Sequence, residues 1–260
     1  MAAVSDNPRE IVDLADGAVE RAFHAPALFL SASIPFLKTA AELDHDAARI
    51  AKNAEHTRTA RPDRIRDAIV HLCDAAFARG YQLVFGGHPA ISPLVLDAAR
   101  AHASNLARPD EAAYPAVIVF QSLYFEAAIG DSTRNFADWS HGLLVWTASL
   151  PASLPSSNGR SAREASLLHM RGRMTAAKQL QAAIFIGGMD GVLDEAAEFR
   201  GAQPGRPCYA LGSTGGAAEE LLDTSTAPYC GRALRPETLR ARGSYPLLFR
   251  EIFEDIEATP

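Results

Sequence analysis

The sequence contains few cysteines and no long apolar segment. Its 260 residues include only three cysteines, Cys73, Cys208 and Cys230, which lie far apart and form no Cys-x-x-Cys pair. This spacing excludes a disulfide scaffold and a zinc knuckle. The apolar runs are far shorter than the roughly 20 residues that a membrane-spanning helix needs, and the polar N-terminal segment lacks the features of a signal peptide. We therefore predict a cytoplasmic protein with no membrane partner.

The sequence also has no excess of basic residues over acidic ones. The 25 lysines and arginines are outnumbered by 31 aspartates and glutamates, which gives a net charge of −6. This balance excludes a general binder of polymeric nucleic acid, although it leaves room for a single phosphate group. The eight histidines show neither H-x-x-x-H nor H-E-x-x-H spacing, so we predict no metal site and no cofactor.

Several familiar catalytic motifs are absent as well. The chain has no Gly-Lys-Ser/Thr phosphate loop, no G-x-G-x-x-G dinucleotide fingerprint and no G-x-S-x-G elbow. These absences argue against P-loop nucleotidases, nicotinamide-dependent oxidoreductases and serine hydrolases of the α/β type.

Short apolar runs alternate with stretches of helical periodicity. This alternation is typical of a parallel sheet covered by helices on both faces. The predicted strands are 27–30, 81–85, 115–120, 142–147, 182–186 and 207–211, and the predicted helices are 63–79, 92–103, 161–180, 193–199 and 217–222. We predict an α/β, Rossmann-like three-layer sandwich with a mostly parallel sheet. It would form one domain over residues 1–260, with a core at about 27–222 and a C-terminal helical extension at about 223–260.

Three glycine pairs follow predicted strands and precede predicted helices. They are Gly86-Gly87, Gly187-Gly188 and Gly215-Gly216. A parallel sheet gathers such turns at one edge, where backbone amides and helix N-termini can hold a phosphate. The alternative is that each turn needs glycine only for its backbone conformation.

The residues of these turns form the candidate ligand site. Asp190 could bind ribose hydroxyls or only its own backbone, and Ser213 and Thr214 could cap a helix, contact a phosphate, or do both. Ser31 and Ser33 are phosphate donors or ordinary strand-end serines. The full candidate set is Ser31, Ser33, Gly86, Gly87, His88, Gly187, Gly188, Asp190, Gly191, Gly212, Ser213, Thr214, Gly215 and Gly216.

The region around Gly187 resembles a known family. Its matching residues are Met170, Arg173, Gly187, Gly188, Gly191 and Glu195. They resemble the Met-x-x-Arg helix and the P-G-G-x-G-T-x-x-E loop of the "Lonely Guy" phosphoribohydrolases. The sequence departs from that pattern at Ile186 and Val192 and has one extra loop residue. Segments 29–35, 85–88 and 212–218 resemble the wider SLOG superfamily, which includes sirtuin- and TIR-associated domains, and the likeness spans roughly 27–222.

The resemblance implies recognition of a nucleotide or an ADP-ribose-like signal in bacterial signalling or defence. Because no effector module is recognisable within the 260 residues, such a protein would act through a partner protein, as a homodimer, or as an enzyme itself. The alternative is a phosphoribohydrolase or N-glycosidic hydrolase. Glu195 would then stabilise the ribosyl cation or position water, and Arg173 would hold the 5′-phosphate or orient Glu195. Purely structural roles stay open for both residues. Glu195 could be a first-turn helix acid, and Arg173 could be a solvated helix residue.

A third hypothesis is a TIR-like or deoxyribosyltransferase-like enzyme. The opening segment 29–35 and the short strands suggest it, and it predicts a catalytic glutamate such as Glu126. The long predicted helix 161–180 directly before the Gly187 loop argues against this hypothesis.

Overall fold

The computed structural model describes residues 10–13, 20–40, 43, 45–105, 115–152, 161–223, 229–241 and 243–258. The strands are β1 Glu10–Asp13, β2 Ala27–Ser33, β3 Gln82–Phe85, β4 Val117–Ser122, β5 Gly142–Thr147, β6 Leu180–Gly187 and β7 Cys208–Leu211. The helices are α1 Ala47–Thr59, α2 Pro62–Phe77, α3 Ser92–Ser104, α4 Asp131–Arg134, α5 Ala162–Thr175, α6 Asp190–Ala202, α7 Ala217–Asp223, α8 Pro236–Arg240 and α9 Tyr245–Glu257. Short 3₁₀ turns include Gly212–Thr214.

The strands are ordered β1-β5-β4-β3-β2-β6-β7 in a seven-stranded sheet. The pairs β1–β5, β3–β4, β4–β5 and β6–β7 are all parallel. Strands such as β4 and β5 are buried at every position, as expected where both faces of a parallel sheet are covered. The predicted α/β, Rossmann-like fold class is therefore confirmed.

The chain forms two compact units, and the first comprises residues Met1–Phe29 and Ala76–Leu180. Its parallel strands are in register from Val117 opposite Gly142 to Ser122 opposite Thr147. Gln82, buried at the start of β3, donates to the carbonyl oxygens of Ala22 and Pro115. Its side-chain oxygen accepts the backbone amides of His24 and Ala25, so its buried polar groups are satisfied.

The second unit comprises residues Leu30–Ala75 and Gln181–Pro260. Strands β6 and β7 pair from Ala183 opposite Cys208 to Ile186 opposite Leu211. Helix α9 buries Phe249 and Phe253 completely. The division falls within the chain that we predict to be one domain, and that single-domain assignment stays a prediction.

Two sequence predictions about helices had different outcomes. The capping box of Ser161 and Glu164 is confirmed, because each side chain accepts a hydrogen bond from the other residue's backbone amide. The predicted end of that helix near Leu180 is wrong, since α5 ends at Thr175 and Leu180 begins β6. Leu180 is completely buried in the strand, and burial in the sheet overrides its favourable helix propensity.

Candidate functional site

The carboxyl end of β2 meets helix α6 through a hydrogen bond between two predicted site residues. The Ser31 hydroxyl, which is buried in β2, donates to the Glu195 Oε2 atom at 2.6 Å. Glu195 is half-buried and lies in the second turn of α6, whose first-turn acid is Asp190. The interpretation of Glu195 as a first-turn acid is therefore wrong. A serine 164 residues away in sequence fixes the position of this carboxylate.

The Gly187-Gly188 turn after β6 packs against β2 and the turn after β7. The Gly187 amide donates to the Thr214 hydroxyl at 2.8 Å, and the Gly188 amide donates to the Ser33 carbonyl at 2.9 Å. Gly187 has a φ of +60°, and a Cβ atom there would lie 2.8 Å from the Ser33 carbonyl oxygen as well as 2.4 Å from the Ile65 Cδ1 atom. These contacts require glycine for close packing of the backbone.

The Gly215-Gly216 turn is held in the same way. The Gly215 amide donates to the Gly212 carbonyl at 2.9 Å, and the Gly216 amide donates to the Thr59 hydroxyl at 3.2 Å. The Gly188 carbonyl accepts the Ala217 amide, which ties the two turns together. All four glycine amides of the two turns therefore donate within the protein, so the predicted contacts of these amides to a phosphate would require them to give up those hydrogen bonds.

The hydroxyl groups of the β7 turn also have partners in the protein. Thr214 is completely buried, and its hydroxyl donates to the Leu211 carbonyl while accepting the Gly187 amide. The Ser213 hydroxyl lies 3.2 Å from the Tyr245 hydroxyl. Neither residue caps α7, which begins at Ala217.

Asp190 and Gly191 open helix α6. The residue before them, Met189, is the N-cap and makes no side-chain capping hydrogen bond. The Oδ1 atom of Asp190 is shielded from solvent and has no hydrogen-bond partner among the described residues. A buried carboxylate oxygen without a donor is energetically costly, so a ligand donor at this atom would relieve that cost.

The predicted site residues of the first unit lie in two places. Gly86, Gly87 and His88 form the turn between β3 and α3, where the Gln121 amide nitrogen donates to both glycine carbonyls at 2.7 and 2.8 Å. The His88 Nδ1 atom accepts the Ala90 amide at 3.2 Å. Arg173 is half-buried in the last turn of α5.

The sequence of the chain matches the model of a known protein family. The model of the SLOG cluster3 family matches residues 55–250, about three quarters of the chain. This chain belongs to the SLOG cluster3 family. Membership confirms the resemblance to the SLOG superfamily and supports a nucleotide-related function in general terms. Among curated proteins, no sequence matches the chain.

The matched SLOG region includes a pocket that the sequence did not predict. The pocket is lined by three residues of the β7 turn that the sequence predicts as ligand contacts, and by three arginines. One arginine directly precedes α2, the second lies in α2 and the third lies in α8. These residues are Gly212, Ser213, Gly215, Arg61, Arg64 and Arg240. The only sequence signal for these arginines is that Arg61 and Arg64 lie close to Pro62, the residue that begins α2. Nothing in the sequence pattern indicates that Arg240 lies in the same pocket as Arg61 and Arg64.

A second polar network of this SLOG protein lies between α1 and α7. The buried His56 Nε2 atom lies 2.7 Å from the Glu220 Oε2 atom, and the Lys52 ammonium lies 3.0 Å from Oε1. Burial raises the pKa of Glu220, but the hydrogen bonds from His56 and Lys52 outweigh that effect and hold the pKa below its usual value. The network therefore favours an ionised Glu220 that joins the two helices.

The described residues of this SLOG protein show no group of three or more histidine, cysteine, aspartate or glutamate side chains placed to bind a metal ion. Within the same part of the chain, none of the helices has the length and apolarity needed to cross a membrane. Glu126, the residue on which the TIR-like alternative depends, is exposed just after β4. The SLOG match favours the SLOG interpretation over that alternative.

Proposed function

We propose that this SLOG protein recognises a nucleotide or a nucleotide-derived, ADP-ribose-like small molecule at the strand ends of its second unit. The observation that carries the proposal is the buried Asp190 Oδ1 atom, which has no donor among the described residues. A ribose offers two neighbouring hydroxyl donors, and a carboxylate is a strong acceptor for them. The nucleotide-related character of the family supports this choice of ligand over other polyols.

The surrounding turns support a preformed site. The Gly187-Gly188 and Gly215-Gly216 turns are hydrogen-bonded to β2, α1 and each other, and a rigid frame loses little conformational entropy when a ligand binds. The Ser31 hydroxyl on β2 is hydrogen-bonded to the Glu195 carboxylate in the second turn of α6. The site therefore offers anionic acceptors for sugar hydroxyls on a rigid base.

The proposal includes a biological setting. A SLOG protein that binds such a ligand would act in bacterial signalling or defence, through a partner effector protein or as a homodimer. Its three cysteines are buried free thiols, which supports a reducing, cytoplasmic compartment.

Binding of AMP tests the role of Asp190. We expect the Asp190→Ala variant to bind AMP about tenfold more weakly, because each ribose hydroxyl loses a charged acceptor. The wild-type protein should also bind 2′,3′-dideoxy-AMP about tenfold more weakly than AMP, and this preference should disappear in the variant. Isothermal titration calorimetry measures all four affinities.

Asp194→Ala is the matched control, because Asp194 is an exposed carboxylate on the same helix. Its affinity for AMP should equal that of the wild type. Equal affinity of the wild-type protein for AMP and dideoxy-AMP would contradict the ribose role of Asp190. ADP-ribose and NAD, tested in the same way, define how much of the nucleotide the site accepts.

One observation favours a second function, hydrolysis of an N-glycosidic bond. Ser31 holds the Glu195 carboxylate at 2.6 Å, and a fixed carboxylate can stabilise a cationic ribosyl transition state. In that reaction water attacks the ribose C1′ atom, the C1′–N bond breaks, and the base leaves with the proton lost by water.

Chromatography of incubations with AMP, NAD and ADP-ribose measures release of free base. If the protein is a hydrolase, Glu195→Gln should lower turnover by at least about a hundredfold, while affinity for the nucleotide changes little. Binding without release of base by the wild-type protein would exclude hydrolysis of these substrates and leave recognition as the function.

A further inference from the structure

We propose that the pocket formed by Arg61, Arg64 and Arg240 binds a phosphoryl group, either as inorganic phosphate or as the phosphate of a larger ligand. The pocket lies wholly in the second unit and is also lined by Thr59, Ser213 and Glu219. This inference goes beyond nucleotide recognition at Asp190, because it depends on different residues and different chemistry.

The positive charge of the pocket is only partly compensated. The Arg61 Nη1 atom donates to the Thr59 carbonyl at 2.9 Å, and the Arg64 Nη1 atom donates to the Ser213 carbonyl at 3.3 Å. Neutral carbonyl oxygens orient a guanidinium group without cancelling its charge. Neither side chain forms an ion pair within the described residues, so both keep further N–H donors and a full charge for an anion.

The positive charge of the third guanidinium group, that of Arg240, is compensated by a carboxylate. Arg240 forms an ion pair with Asp223, whose side chain is 69% exposed. Glu219 supplies the one carboxylate in the pocket lining, against three arginines. The lining therefore keeps a net positive charge, which favours a doubly charged phosphoryl group over a singly charged carboxylate.

A hydroxyl group adds a neutral donor to the pocket. Ser213 lies within hydrogen-bond distance of the buried Tyr245 hydroxyl. Burial raises the pKa of Tyr245, so the phenol stays protonated at neutral pH and can donate to Ser213. Ser213 is then able to direct its own proton toward a phosphate oxygen.

The size and position of the pocket fit a phosphoryl group rather than a whole nucleotide. Its volume is about 170 Å³, whereas pockets for drug-sized ligands occupy about 300–1,000 Å³. Arg61 directly precedes the 16-residue helix α2, and Arg64 lies in its first turn. The positive end of the helix dipole therefore adds to the field of the arginines.

Titration with inorganic phosphate tests the proposal. We expect the wild-type protein to bind phosphate in the millimolar range or tighter, and Arg61→Gln and Arg64→Gln each to weaken binding about tenfold. Arg58→Gln is the matched control, because Arg58 pairs with Glu55 on the exposed side of α1. Its phosphate affinity should stay within about twofold of the wild type. Calorimetry gives the affinities, and circular dichroism shows whether each variant is folded.

The titrations distinguish a pocket that holds the phosphate of the nucleotide from a separate phosphate site, and they can overturn the proposal. If Arg64→Gln weakens AMP and phosphate equally while Asp190→Ala affects only AMP, the pocket holds the phosphate of the nucleotide. If only phosphate is affected by Arg64→Gln, the pocket is a separate phosphate site, and the proposal still stands. Absence of phosphate binding by the wild-type protein, or an equal loss in Arg58→Gln and Arg64→Gln, would overturn it.

Discussion

Replacing Gly215 with alanine is expected to destabilise the protein by about 3 kcal/mol or more. Gly215 has φ +71° and ψ −163°, a backbone conformation that is open almost only to glycine. A Cβ atom would also lie 2.0 Å from the Thr59 carbonyl oxygen and 2.7 Å from its carbon. Because these neighbours are backbone atoms, the clash cannot be relieved by a side-chain rotation. Urea denaturation measures the change in the free energy of unfolding.

Gly201→Ala is the matched control for this prediction. Gly201 is exposed in the last turn of α6, and apart from the helix's own backbone and the neighbouring residues no atom lies within 4 Å of the position of a Cβ atom. Alanine should stabilise the helix there by about 0.5–1 kcal/mol, because it loses less backbone entropy than glycine. If both variants changed the free energy of unfolding by the same amount, the close approach of Gly215 to Thr59 would not be the cause.

Asp255→Ala is expected to destabilise the second unit by about 3 kcal/mol. Asp255 is 8% exposed in α9 and accepts three hydrogen bonds. The donors are the Tyr209 hydroxyl at 2.6 Å and the backbone amides of Arg232 and Ala233 at 2.8 and 3.0 Å. Its loss would leave a phenol and two amides without their acceptor, and each unsatisfied buried donor is costly. Thermal unfolding followed by circular dichroism measures the effect.

Two further variants test whether the loss of stability in Asp255→Ala comes from the hydrogen bonds of its carboxylate. Tyr209→Phe should cost about 1 kcal/mol, because Asp255 keeps both amide donors. Glu254→Ala, which removes the exposed neighbour that pairs with Arg250, should change stability by less than about 0.5 kcal/mol. An effect of Asp255→Ala no larger than that of Glu254→Ala would show that the carboxylate does not hold the 231–233 segment in place.

Much of the secondary structure could be predicted from local patterns. Strand β5 has the predicted bounds 142–147, and the strand predicted at 207–211 differs from β7 by one residue. These segments are continuous apolar runs whose burial follows from their composition. Helix α1 was missed, because its sequence is polar and its buried residues are Asn53 and His56. Hydrogen bonds of Asn53 with Phe36, Lys38 and Met189 hold it in place, and such long-range contacts leave no periodic signal.

The candidate site was predictable only in part. Ser31 and Glu195 were each singled out from sequence, but their hydrogen bond joins residues that are 164 positions apart. The arginine pocket combines Arg61 and Arg64 with Arg240, and no local motif indicates that these charges converge. Side chains from distant segments meet only where strands and helices pack together.

The sequence by itself determined the parallel α/β fold class and the places where the chain must turn on glycine. Both depend on local properties, namely the hydrophobic period and the backbone conformations that each residue type allows. Only the tertiary structure decided what those glycines contact. The amides of Gly187, Gly188 and Gly216 donate to Thr214, Ser33 and Thr59, because packing brings acceptors from remote segments within hydrogen-bond distance. Packing likewise leaves the Asp190 Oδ1 atom without a donor among the described residues and brings Arg61 and Arg64 into one pocket with Arg240.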